Sequence, residues 1–239
     1  MLGLPDRVSA CLFDLDGVLT DTASVHRDAW KQTFDPLLKA RNLPEFTDDD
    51  YADYVDGKPR SDGVRDFLAA RDIHLPEGSA DDQADADTVL GVGNRKNSIL
   101  LDAIHDGGVR VFEDARTYLE AARDAGLRRL VVSSSANTKQ VLHATGLEDL
   151  VEGRVDGVTI GELHLRGKPA PDSFLEATKV IGVPPAAAAV FEDALAGVQA
   201  GHDGGFGYVV GVNRLGDEHG RQLDVHGALI VVRALTELL

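Results

Sequence analysis

Five short runs of uninterrupted apolar residues limit what this chain can fold into. They lie around Ala10–Phe13 and in "LRRLVVSSS" (Leu127 to Ser135), "AAAAVFEDA" (Ala186 to Ala194), "FGYVVGV" (Phe206 to Val212) and "ALIVV" (Ala228 to Val232). A run that is continuous rather than alternating predicts a strand covered on both faces. Helical patterns stand between the runs. "FEDARTYLEAARDAG" ends at Gly126, "NTKQVLHATG" runs from an Asn137 cap to Gly146, and "APDSFLEATKVIG" follows Pro169 and ends at Gly182. Strand then helix, repeated, predicts an α/β fold with a mainly parallel sheet. No internal repeat is visible.

One interval breaks the rhythm. After the first run, the next strand–helix unit begins only near Gly107, about eighty-five residues on, where ordinary connections have a median of about 4–6. The interval carries amphipathic helical patterns over Val25 to Arg41, Asp62 to Arg71 and Asn94 to His105, with an acidic, polar stretch "PEGSADDQADAD" expected as an exposed loop or helix start. This predicts a helical domain over 22–106 inserted into an α/β core made of 1–21 and 107–239. Gly107 and Gly108 are candidates for a hinge at the return crossing.

Composition narrows the function. Hydrophobic residues make up 43% of the chain, enough for a real core. The formal charge of −16 repels a phosphate backbone, so nucleic acid is not an expected partner; a small phosphorylated substrate is compatible if local cations neutralise it. Cys11 is the only cysteine, so no internal disulfide can form, which suits a cytoplasmic protein. Cys11 itself reads as a small core residue. No stretch approaches the ~18 apolar residues of a membrane span, and "MLGLPDRVSA" lacks the pattern of a signal peptide. No apolar stripe marks an interface, so a monomer is expected.

In open α/β sheets ligands sit at the carboxyl ends of the strands. Four polar groups are expected there: Asp14 with Asp16, Ser133 to Ser135, Lys168 after "HLRG", and Glu192 with Asp193. Carboxylates buried at a strand end are costly unless a cation sits among them. Two acidic groups converging from different strands make an oxygen-rich site for Mg2+. Serine hydroxyls and a lysine can hold phosphate oxygens, and an aspartate can accept a phosphoryl group covalently. Each residue also has a plainer reading. Asp14 and Asp16 can cap a turn, Lys168 can be a surface lysine, Ser134 and Ser135 can be loop or cap residues, and Glu192 can support the metal from behind.

Taken in order, these residues resemble the haloacid dehalogenase superfamily across nearly the full chain. Its first motif corresponds to Asp14-Leu15-Asp16-Gly17-Val18-Leu19-Thr20, its second to Ser133, its third to Lys168 in "GKPAPD", and its fourth to Glu192 and Asp193 in "EDALAG". The resemblance implies a Rossmann-like parallel-sheet core with an inserted α-helical cap. It also implies that Asp14 is the nucleophile, that Asp16 is the general acid/base and gives Mg2+ its backbone carbonyl, and that Asp193 binds the metal directly with help from Glu192. Ser133 and Lys168 would grip the transferring phosphoryl group.

The position of the insertion resembles the helical-cap subgroup, and "DLDGVLTDTASVHRDAWK" is similar to the start of β-phosphoglucomutases. That resemblance implies interconversion of β-glucose 1-phosphate and glucose 6-phosphate, with glucose 1,6-bisphosphate as intermediate and activator. It places His26 as the cap histidine, Arg60 in a specificity loop "VDGKPRSDGV", and Lys96 in "NRKNSIL" as the cap lysine; Ser134 and Asn137 of "SSSAN" would help bind the sugar phosphate. Arg60 and Lys96 would hold the second phosphate, and Lys58 would be a rim charge. Ala194 stands where these mutases often have a serine. Solvated surface positions are the plainer readings of His26, Arg60 and Lys96. Two other functions remain open at this point: a phosphatase of the same fold acting on a small sugar phosphate, and a signalling receiver domain, against which the D-x-D pattern and the large insertion both argue.

Overall fold

The computed structural model describes residues 2–107 and 109–239. The chain divides into two compact units: Met1–Asp21 with Val109–Leu239, and Thr22–Gly108. Of the hinge pair, Gly108 lies outside the described residues. No described helix is long and apolar enough to cross a membrane.

The first unit is built on a six-stranded sheet. Its strands are β1 (Ala10–Phe13), β2 (Arg128–Val132), β3 (Arg154–Val155), β4 (Ala188–Glu192), β5 (Tyr208–Val212) and β6 (Ile230–Val232), in the spatial order β3-β2-β1-β4-β5-β6. Every neighbouring pair is parallel. From β1 the order runs outward through β2 on one side and through β4 on the other. β1 and β4 therefore flank the switch point, where the strand ends open a crevice.

Both faces of the sheet are covered, which is why the strands read as continuous apolar runs. On one face Leu12, Leu130 and Val190 pack with Phe174 and Val198 from helices that follow later in the chain. On the other, Phe13 stacks on Phe191 with ring centres 4.5 Å apart and meets Tyr118 edge-on at 6.2 Å. Cys11 is fully buried there, and burial pushes its thiol up to about 12, an inert core side chain.

The second unit holds α1 (Ala23–Lys39), α2 (Asp48–Asp50) running into a wider turn over Tyr51–Val55, α3 (Arg60–Ala70) and α4 (Val89–Gly107). α1 buries Ala29, Trp30, Thr33, Phe34, Leu37 and Leu38, a stripe at helical spacing. Phe34 is the hub of this unit's own core, with ring centres 4.2 Å from Phe67, 5.2 Å from Trp30 and 5.3 Å from Phe46. α4 begins five residues earlier than its periodicity predicts, because Thr88 caps it: its hydroxyl accepts from Gly91 N–H at 2.9 Å. Gly91 and Gly93 had masked that turn by lowering its helix propensity.

The remaining helices return to the sheet unit: α5 (Glu113–Asp124), α6 (Thr138–Thr145), α7 (Gly157–Glu162), α8 (Asp172–Ile181), α9 (Leu195–Asp203) and α10 (Asp217–Val225). α6 and α8 end at Gly146 and Gly182 in the left-handed conformation expected of C-terminal glycines. Asn137 does stand at the start of α6, yet its side chain makes no cap hydrogen bond. Two further features differ from the sequence reading. β3 was not predicted, since two residues carry no periodicity. "HLRG" is not a strand, so Lys168 comes from the loop between α7 and α8 rather than from a strand end.

Candidate active site

The chain leaves β1 through a tight turn. Leu19 and Thr20 N–H both donate to the Leu15 carbonyl, at 3.0 and 2.9 Å, and Gly17 N–H donates to Thr20 O at 2.7 Å. Gly17 adopts φ +91°, a conformation L side chains rarely take. A β-carbon there would also fall on the carboxylate of Asp193, so the turn after β1 and the end of β4 touch through this glycine. The turn presents Asp14 and Asp16 side by side with the ends of β2 and β4.

At the centre lies a buried cation. The Lys168 ammonium donates to Asp14 Oδ1 at 2.6 Å, to Glu192 Oε1 at 2.5 Å and to the Val132 carbonyl at 3.1 Å. All three donors of the ammonium are thus engaged, and the lysine and Glu192 side chains are fully buried. Burial by itself would push Lys168 down, but Asp14 and Glu192 hold it above its ordinary value, charged. Burial pushes Glu192 up to about 7 despite the lysine beside it, and the charge of Asp14 adds to that push. The other Glu192 oxygen accepts from Ala194 N–H at 3.1 Å, and Gly197 leaves the space the carboxylate needs. Ala194 therefore contributes through its backbone, which its departure from serine does not change.

Oxygens of Asp14, Glu192 and Asp193 lie within 4.8 Å of one another. Three carboxylates from two strand ends fit a hard divalent cation with oxygen ligands. Asp16 faces Ser133, whose hydroxyl stands 3.5 Å from Asp16 Oδ2 and accepts from Ser135 N–H at 3.1 Å. Ser134 is half-buried and Asn137 buried on the same loop. Six predicted residues, Asp14, Asp16, Ser133, Lys168, Glu192 and Asp193, thus converge within one unit.

His26, Arg60 and Lys96 belong to the other unit. Lys96 is buried, its ammonium 2.9 Å from His26 Nδ1 and 4.9 Å from the Trp30 ring centre. An ammonium has only donors, so His26 accepts at Nδ1. Burial, then the charge of Lys96, holds the His26 pKa well below its ordinary value. Arg60 was expected within a loop but opens α3; its side chain lies against Gly93 of α4 and reaches Asn94 Oδ1 at 3.5 Å. Lys58 is paired with Asp66 at 2.7 Å. Sequence reasoning missed two supports of the acidic cluster, His219, 2.7 Å from the Asp193 carbonyl, and Arg214. Neither carries a motif, and both lie beyond the last recognisable one.

The family model for haloacid dehalogenase-like hydrolases matches residues 8–205. The chain belongs to this family. This haloacid dehalogenase-like enzyme is 56% identical over 247 aligned residues to a β-phosphoglucomutase of Mycobacterium tuberculosis, spanning 100% of this chain and 94% of that protein. Its fold is shared with a β-phosphoglucomutase structure from Clostridium difficile (TM-score 0.77, 22% identity, 97% of this chain and 93% of that one). It is shared equally with a hydrolase structure from Pseudomonas syringae (TM-score 0.78, 22% identity, 96% and 95%). The core architecture by itself therefore does not separate mutase from hydrolase.

Two outcomes follow from the geometry. Lys168→Met leaves two carboxylates buried together, and denaturant unfolding should show a loss of about 3–5 kcal/mol; adding Glu192→Gln should restore part of the stability and none of the activity. His26 resists protonation in the folded chain while the unfolded chain accepts a proton normally. Its contribution is therefore present in full above about pH 6.5 and falls away as the pH drops below that value. In denaturant titrations at pH 7.5 and 5.5, His26→Gln should show a smaller acid loss than the parent.

Proposed function

We propose that this enzyme is a Mg2+-dependent β-phosphoglucomutase that interconverts β-D-glucose 1-phosphate and D-glucose 6-phosphate. The observation that carries phosphoryl transfer is the buried Lys168 bridging Asp14 and Glu192, with Asp193 and Asp16 beside them. The full-length likeness to the mycobacterial mutase supports the choice of substrate.

In this reading Asp14 attacks phosphorus. With glucose 1,6-bisphosphate as the first donor, the Asp14 O–P bond forms as one phosphorus–sugar oxygen bond breaks, Asp16 gives that oxygen its proton, and a glucose monophosphate leaves. The aspartyl phosphate is then attacked by the 6-hydroxyl of β-glucose 1-phosphate, whose proton Asp16 takes, giving glucose 1,6-bisphosphate; reaction through its 1-phosphate releases glucose 6-phosphate. That last reaction runs by the same steps and regenerates the aspartyl phosphate. Asp14 approaches an anionic phosphate because Lys168 offsets its charge; Ser133 would donate to the transferring oxygens, and Lys168, its three donors engaged within the protein, would act on them through its charge. Asp14, Asp193 and Glu192, with the Asp16 carbonyl, would hold a Mg2+ that supplies further positive charge at the transferring group.

A mutase must also hold a phosphate that is not reacting. Arg60 is assigned that role for its planar, bidentate fork, with Lys96 and His26 in support and Ser134 and Asn137 contacting the sugar phosphate. The substrate is a small sugar phosphate and the working form a monomer.

The deciding test is a coupled assay with β-glucose 1-phosphate, Mg2+ and a trace of glucose 1,6-bisphosphate, following glucose 6-phosphate and free phosphate together. Glucose 6-phosphate should form without matching phosphate release, and chelation of the metal should stop it. Phosphate release with little glucose 6-phosphate would make the enzyme a sugar-phosphate phosphatase instead. Asp14→Asn should abolish transfer and hydrolysis alike; substantial residual turnover would refute the nucleophile assignment. Arg60→Ala should harm mutase turnover far more than hydrolysis of a small phosphate ester, and equal losses would count against a distal-phosphate role.

A further inference from the structure

Arg214, just beyond β5, makes no contact that the proposed chemistry uses, yet its guanidinium is spread over the turn that carries Asp16. Its Nε and Nη2 donate to the Gly17 and Val18 carbonyls at 3.4 and 3.3 Å. Nη2 also meets Asp114 Oδ2 at 2.9 Å, and Nη1 donates to the Arg233 carbonyl at 2.8 Å. The guanidinium carbon lies 4.1 Å from the ring centre of Phe112, and Phe112 N–H in turn donates to Leu19 O at 3.0 Å. Arg214 thus reaches Gly17 and Val18 directly and Leu19 through Phe112.

The fork is itself held on both sides. Asp114 also accepts from Leu235 N–H at 2.7 Å, and the Arg214 and Asp114 side chains are each only 16% exposed, so solvent screens the pair weakly. The backbone that bears Arg214 is fixed by buried Asn213, whose Oδ1 accepts from Leu215 and Gly216 N–H at 3.2 and 3.0 Å. A planar group with five donors in fixed directions can brace several carbonyls at once, which a lysine cannot. The turn it braces starts at Asp16, and Gly17 is where that turn touches Asp193.

We propose that Arg214 is a positioning residue for Asp16: by clamping the Gly17–Val18 turn it keeps the Asp16 carboxylate aimed at the leaving oxygen. The inference rests on the assignment of Asp16 as acid/base above. It predicts a defect that depends on how much the leaving group needs a proton. General acid–base catalysis is worth about 10²–10⁴-fold where protonation is needed, and a nitrophenolate leaves without it.

The experiment compares the parent, Arg214→Gln, Arg214→Lys and Asp16→Asn on β-glucose 1-phosphate with trace bisphosphate and on p-nitrophenyl phosphate, where the rate read is the first-turnover release of nitrophenolate, before Asp16 is needed as a base, with thermal melting of each. Arg214→Gln and Arg214→Lys should lose about tenfold or more on the sugar phosphate and less than about threefold on the aryl phosphate, with the same split as Asp16→Asn in weaker form. Arg214→Lys keeps the charge and loses the fork, so it carries the test if Arg214→Gln does not fold. A split for Asp16→Asn with equal losses, or none, for the arginine variants would overturn the role of Arg214. No split even for Asp16→Asn would overturn the assignment of Asp16, and the inference with it.

Discussion

A single ammonium buried between two carboxylates underlies the rest of this structure. Lys168 cannot be solvated where it lies, and neither can Glu192. Each is tolerable only because the other is there, since a charge left unpaired in such a place costs several kcal/mol. The pairing ties the loop between α7 and α8 to the ends of β1, β2 and β4 at once. It also leaves the cluster with more negative than positive charge: Lys168 offsets part of the charge of Asp14, Glu192 and Asp193. That residual charge is what a divalent cation would neutralise.

The sheet makes this arrangement affordable. With both faces covered, β1 and β4 are rigid, and their carboxyl ends are fixed relative to each other by a parallel register in which Phe13 opposes Phe191. One residue past each partner lie the acids. Close approach is then limited only by side-chain bulk, and it is removed at two places. Gly17 yields to Asp193 and Gly197 yields to Glu192. Around that contact, hydrogen bonds within Leu15–Thr20 close the turn from inside and Arg214 closes it from outside.

The helical unit is organised differently. It has its own aromatic core around Phe34 and Phe67, so its polar residues are positioned by packing rather than by a sheet. Lys96 illustrates the consequence. Pressed between His26 and the Trp30 ring, it sets which nitrogen of the histidine accepts, and its charge adds to the burial that holds the imidazole's pKa down. Arg60 emerges at the first turn of α3 against α4, a helix-borne guanidinium rather than one on a free loop.

Some of this was legible in the residues alone. The fully buried strands were readable because parallel strands covered on both faces need uninterrupted apolar runs, and the acids at their ends stood out because carboxylates beside a buried strand are costly unless a cation sits among them. The glycine helix ends at Gly146 and Gly182 followed from backbone sterics. Tertiary structure decided what depends on distant partners. β3 is two residues held by its neighbour, with no pattern of its own. Lys168 looked like a strand-end residue and is placed instead by the two carboxylates that surround it. The burial of Lys96 follows from Trp30 and His26, sixty or more positions away in the chain. Arg214 has no motif at all: its meaning is four acceptors that the fold brings to one guanidinium. Local sequence encodes periodicity, caps and chemical type, whereas the pairing of buried charges is settled only when the whole chain has packed.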